Sequence, residues 1–234
     1  MNNQKQMQVF WTLYADDNRG KLTANRGDGT DAGPLLSQWM YCPSGTDLDW
    51  WNSGSNTNTL YLISGQLGGY IGRSTGIFKC PADKVPAANG RRVRSIAMNG
   101  YMGDVGHTPG APDGIMAAVN GTTIWRRYLK LTDITLPSPA MAWVFVDQHP
   151  DSINDPFFSV HMGITTWDDL PASYHNGACG FSFADGHAEI KKWLDPNTIQ
   201  PIRKIAWGST ANPSAGKPAP NDRAWINERS TALR

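Results

Sequence analysis

The segment Tyr174-His175-Asn176-Gly177-Ala178-Cys179-Gly180-Phe181-Ser182-Phe183-Ala184-Asp185-Gly186-His187 constrains this chain more than any other. Turn residues flank a short alternating run, so residues 178–184 read as a strand and Asp185-Gly186 as a type I′ hairpin turn. His187 to Trp193 then reads as the returning strand. An isolated hairpin is at best marginally stable in water, so the fold must contain a larger sheet that accepts this one.

The rest of the pattern supplies that sheet. Further strands are expected at residues 94–101, 122–129, 140–147 and 157–161. Ahead of them Met7, Phe10, Trp11, Leu13 and Tyr14 approximate a helical period, which predicts a helix over about residues 2–17. Asp17-Asn18-Arg19-Gly20 supplies its stop. Short helices are expected at 34–41 and at 60–71, the second interrupted by Gly65, Gly68 and Gly69. One long helix followed by strands and long loops is an α+β pattern. With 234 residues and 40% hydrophobic content, a single domain over residues 1–207 can bury a full core. Residues 208–234, rich in Pro, Ala, Asn and Ser, read as an extended C-terminal tail.

A formal net charge of +1 with 18% charged residues offers no broad field for nucleic acid or an anionic membrane. The longest apolar run, Met141 to Val146, falls far short of the roughly 20 residues that span a bilayer. Cys42 and Cys80 each precede a proline in turn-like surroundings and are the better pair for one disulfide. Cys179 reads as a small buried side chain.

Polar side chains gather where the strand 140–147 ends. Asp147, His149, Asp151, Asn154 and Asp155 all carry lone pairs, and such an oxygen-rich loop suits calcium. Zinc would draw instead on His149, His175 and His187 with one carboxylate such as Asp185. Neither spacing is a dedicated metal motif, and hydrogen-bonded turns account for the same residues without an ion. The sequence holds no Gly-x-Ser-x-Gly, no His-Glu-x-x-His and no phosphate-cradling loop, so the chain reads as a non-enzyme. A metal-dependent hydrolase would require His149, His175 and Asp185 to converge in one pocket. Trp39, Tyr41, Trp50 and Trp51 beside a polar loop suit an aromatic platform for carbohydrate or a protein partner, or else anchors of that loop. Trp125, Trp143 and Trp193 sit at strand positions and belong to the core or a half-buried sheet face.

The pattern of His175, nine intervening residues and Asp185-Gly186 resembles a C-terminal signature of prepilin-type, pseudopilin-like proteins of bacterial type II secretion or type IV filament systems. Tyr14-Ala15-Asp16-Asp17-Asn18, Phe78-Lys79-Cys80-Pro81-Ala82-Asp83, Ser95-Ile96-Ala97-Met98-Asn99-Gly100-Tyr101 and the segment from Asp147 to Asp155 resemble further blocks of that family, in the same order. The resemblance covers most of the chain. It implies a pilin-like fold in which an N-terminal spine helix packs on an antiparallel β-sheet with long loops. It also implies a structural role with no required cofactor, and other pseudopilin subunits or secretion-system components as partners. The implied location is the cell envelope, anchored in the inner membrane with the domain in the periplasm or outside the cell. Members of the family begin with a basic leader, a site for processing and methylation, and a long apolar helix. The polar start at Asn2 therefore reads as a cut spine helix. Major pseudopilins carry a calcium site in a C-terminal loop, but its ligands do not map residue by residue onto this sequence. The other reading is a surface-anchored binding module on the same scaffold, with the Trp-rich loop as its site.

Overall fold

The computed structural model describes residues 2–25, 38–41, 56–72, 74–104, 125–205 and 216–234. Helix α1 spans Asn2–Asp17, and its buried residues Gln4, Met7, Gln8, Trp11 and Ala15 recur at helical spacing to form one inward stripe. It stops where the sequence places the stop. Asn18 Nδ2 donates to the Tyr14 carbonyl at 2.7 Å, and Gly20 N, in the left-handed region, reaches back to the Ala15 carbonyl at 2.8 Å.

Five strands form one sheet: β1 Ile96–Asn99, β2 Trp143–Asp147, β3 Phe157–Phe158, β4 Ala178–Phe183 and β5 Ala188–Lys192. Their order is β3-β1-β2-β4-β5. The pairs β1·β2, β2·β4 and β4·β5 are antiparallel, whereas β1 and β3 run parallel, so the sheet is mixed and not antiparallel throughout. The parallel pair arises from a crossover. After β2 the chain makes a 3-10 turn at Pro150–Ser152 and passes to the far edge of β1. There Met98 N bonds the Pro156 carbonyl at 3.0 Å and Gly100 N bonds that of Phe158 at 3.1 Å.

The β4–β5 hairpin forms as expected, but its turn is of another type. Gly186 N bonds the Phe183 carbonyl at 2.9 Å and only Gly186 has positive φ, at 97°. Ala184-Asp185 is thus the centre of a type I turn, and Gly186 takes the left-handed bulge position that closes it. The segment 125–130 contributes isolated bridges to Leu233, Met102 and Lys21 in place of an expected strand. Helix α2 covers only Leu60–Ile63, because the glycines that follow weaken helix continuation. The expected helix at 34–41 lies mostly outside the described residues, and residues 38–40 are bends.

The C-terminal segment departs most from expectation. Helix α3 spans Pro220–Ser230, with Asp222, Arg223, Ile226 and Ser230 buried, where an extended tail was expected. It covers the sheet face opposite α1. Ser182 Oγ donates to Gln8 Oε1 at 3.0 Å on the α1 side. On the other side the Phe181 and Trp225 rings lie 5.0 Å apart, and Trp143 Nε1 donates to Ser230 Oγ at 2.8 Å. Trp143 and Trp193 are core residues and Trp125 is half-buried, as expected, although only Trp143 lies within a strand. No helix among the described residues is long and apolar enough to cross a membrane.

Candidate functional site

On the α1 side of the sheet, three chain segments meet at a buried polar cluster. Cys80 follows the 3-10 helix Thr75–Phe78, and its backbone N–H donates to Ser95 Oγ at 2.7 Å. Lys79 and Asp83 flank it as an ion pair at 3.3 Å, and Asp83 also lies 3.6 Å from the buried Arg92 guanidinium. Arg92 donates in turn to the Pro150 carbonyl at 2.9 Å. The Lys79-Cys80-Pro81-Ala82-Asp83 block thus clamps its own loop against β1.

Asp147 is the last residue of β2, 2% exposed. It fits because β4 has a glycine beside it: a Cβ on Gly180 would stand 3.0 Å from Asp147 Oδ2 and 3.6 Å from Gln4 Cγ. His175 comes from the turn that leads into β4, which Asn176 and Gly177 shape by adopting positive φ. Its Nε2 lies 3.5 Å from Cys80 Sγ. Ligand atoms of Cys80, Asp147 and His175 all lie within 4.8 Å of one another. Burial, and then the neighbouring Asp147, pushes the Cys80 thiol up to about 12. Burial also lifts the Asp147 carboxyl to about 7 and pulls His175 below its ordinary value. Desolvation thus favours the uncharged form of each group. Among the described residues, Asp147 Oδ1 and Gln4 Oε1 are buried without a hydrogen-bond partner.

The other expected ligands are turned to separate tasks. His149 accepts from Asp151 N at 3.2 Å through Nδ1, and its Nε2 lies 3.0 Å from the Gln200 carbonyl. Asp151 accepts from the backbone of Arg203 and Ile205. Asn154 donates to Asp155 Oδ2 at 2.9 Å, and Asp155 Oδ1 caps Phe157 N at 2.9 Å. Asp185 and His187 pair at 2.6 Å on the exposed hairpin tip, where the His187 ring stacks on Phe183. His175 and Asp185 stand at opposite ends of the six-residue strand β4, about 20 Å apart by its rise. The two ends of the motif therefore serve different places: His175 joins the buried cluster, and Asp185 builds the turn.

Trp39 is fully buried, stacked on Phe78 at 6.0 Å with its Nε1 bonded to Asn25, so it belongs to the core and not to a binding surface. Tyr41 stacks on Tyr61 at 5.5 Å. Trp50 and Trp51 lie outside the described residues, as does Cys42. Among the described residues, Cys80 and Cys179 are not bonded to each other and both are buried.

Sequence reasoning offered Cys80 as a candidate disulfide partner of Cys42 and missed it as a neighbour of Asp147 and His175. No local spacing signals the cluster, since the three residues come from distant segments and meet only through the sheet. The one hint was a thiol beside a charged block in a chain with three cysteines. Comparison with known proteins gives no match to a family model, a curated protein or a solved structure.

Proposed function

We propose that this chain is the globular domain of a pseudopilin-like subunit with a structural role in a secretion or filament assembly of the cell envelope. The observation that carries this reading is the placement of α1. The helix lies across β2 and β4 as a spine helix lies on its sheet, with Met7, Trp11 and Ala15 buried and Gln4 and Gln8 bonded to Gly180 and Ser182, while Val9 and Leu13 face outward at 52% and 46% exposure. The sequence blocks that resemble the family, in family order, add support. The outward apolar pair suits a helix that packs against neighbouring subunits by a contact that propagates and does not close.

The test uses the native protein in its source cell. Fractionation should place it with the inner membrane or a sheared filament fraction, and N-terminal mass spectrometry should find a processed, methylated apolar segment ahead of this chain. Cysteines introduced as Val9→Cys and Leu13→Cys should then yield a ladder of cross-linked oligomers. Recovery from the cytosol without such a segment, and without cross-links, overturns the reading.

A further inference from the structure

We propose that Cys80 Sγ, the Asp147 carboxylate and His175 Nε2 form a three-ligand site for a divalent transition metal of the zinc class. Zinc bonds to sulfur, nitrogen and oxygen measure about 2.0–2.3 Å, which sets tetrahedral ligand atoms roughly 3.3–3.8 Å apart. The Sγ···Nε2 separation of 3.5 Å already falls in that range, and no separation in the trio exceeds 4.8 Å. Metal binding requires side-chain rotations that draw the remaining separations into the same range. His175 is half-buried, the most accessible of the three, and a fourth ligand to the ion would be water.

One observation points to a ligand at the trio, and the chemistry of the donor set says which kind. Asp147 Oδ1 is buried and has no hydrogen-bond partner among the described residues, and the Gln4 amide oxygen beside it is in the same condition. A buried acceptor left unmatched is costly, so native structures pair such atoms with a donor, a water or an ion. The donor set fits a dication once its protons are displaced. A thiolate and a carboxylate carry two negative charges that a dication neutralises, and the neutral imidazole adds none. On binding, the Cys80 S–H bond breaks, the sulfur lone pair forms the metal bond and the proton leaves to solvent, as does any proton on Asp147. The thiolate also selects the ion. Calcium and magnesium take oxygen ligands, whereas a sulfur, nitrogen and carboxylate set suits zinc.

Such an ion would tie the Cys80 loop, the end of β2 and the turn before β4 into one unit under α1. This holds whether or not the chain assembles with others. The experiment is titration of the reduced, purified protein with Co²⁺, followed by displacement with Zn²⁺. One Co²⁺ per chain should produce a thiolate-to-cobalt charge-transfer band in the near ultraviolet, and Zn²⁺ should abolish it. Cys80→Ser should remove the band, whereas Cys179→Ser should keep it, since the Cys179 thiol points to the backbone carbonyl of Asp147 at 3.1 Å. His175→Ala, at a half-exposed turn position that tolerates change, should weaken Co²⁺ binding by at least about tenfold while circular dichroism stays native. Zn²⁺ should raise the thermal midpoint and Ca²⁺ should leave it unchanged. The proposal fails if no band forms, if the band follows Cys179, if His175→Ala binds Co²⁺ as wild type does, or if Ca²⁺ alone stabilises. It also fails if non-reducing peptide mapping of native protein finds Cys80 bonded to Cys42.

Discussion

A single buried carboxyl shows how this interior trades solvation against hydrogen bonds. Asp169 is 4% exposed; its Oδ2 accepts from Ser159 N at 2.7 Å, and its Oδ1 accepts from Ser152 Oγ at 3.2 Å and Gln148 Nε2 at 3.3 Å. Burial first, and then the charges of Asp168 and Asp155, hold it well above the usual carboxylate value. A raised folded pKa means that the native state keeps a proton which the unfolded chain releases near about pH 4. Stability from this group is therefore fully present below that pH and declines as pH rises towards the folded value. Asp169→Asn is neutral at every pH and keeps an acceptor for Ser159. Urea unfolding with chelator present should show a smaller loss of stability in the variant than in wild type between mildly acidic and mildly alkaline buffer. Equal losses would rule out Asp169 as the titrating group. None of this was legible in the sequence, because the burial of Asp169 is decided by the crossover that brings Gln148, Ser152 and Ser159 around it.

At the scale of elements, local signals were legible and distant pairings were not. The α1 bounds follow from apolar spacing and a nearby cap, both contained within a few turns, and the hairpin follows from alternation around Asp185-Gly186. The parallel β1–β3 pair depends on where the chain goes after Asp147, which no window of residues encodes. Helix α3 carried a start signal, Pro220 in its first turn followed by Asp222, but the loop-like composition ahead of it obscured that signal. The same Asp222 does more than start a helix. Its carboxylate accepts from Leu194 N at 2.9 Å and Asp195 N at 2.9 Å, just past β5, while Asp195 accepts from Asp222 N at 2.8 Å and Asn221 Nδ2 at 2.9 Å. This reciprocal clasp fixes α3 to the sheet edge. Hydrogen bonds to a charged acceptor are worth about 1.5–3 kcal/mol each, and removing the acceptor strands its donors. Asp222→Ala should therefore cost about 2–4 kcal/mol in urea unfolding. A double-mutant cycle with Asp195→Ala should be strongly non-additive, and simple addition of the two losses would dissolve the clasp.

The whole molecule is a sheet enclosed on both faces by helices from opposite ends of the chain. The α1 face is partly polar, with Gln4, Gln8, Ser182 and Asp147 all buried, and it houses the Cys80 cluster. The α3 face is aromatic: Trp143, Phe158, Phe181, Trp193 and Trp225 meet edge to face at 5.0–6.4 Å. This division gives the two helices different work. The first leaves polar groups at the interface and outward apolar residues on its free side, whereas the last seals the core with Ile226 fully buried and with Arg223 held between the carbonyls of His161 and Ile164. A tail would be dispensable, but a sealing helix is not. Ile226→Ala should cost about 2–5 kcal/mol, a large share of the roughly 5–15 kcal/mol that a domain has in total. Ending the chain at residue 215 should go further, exposing the aromatic face, so that near-ultraviolet circular dichroism collapses and a hydrophobic dye binds while far-ultraviolet signal persists in part. If the shortened chain instead unfolds cooperatively at the wild-type urea midpoint, α3 contributes nothing to the core and the two-sided architecture is wrong.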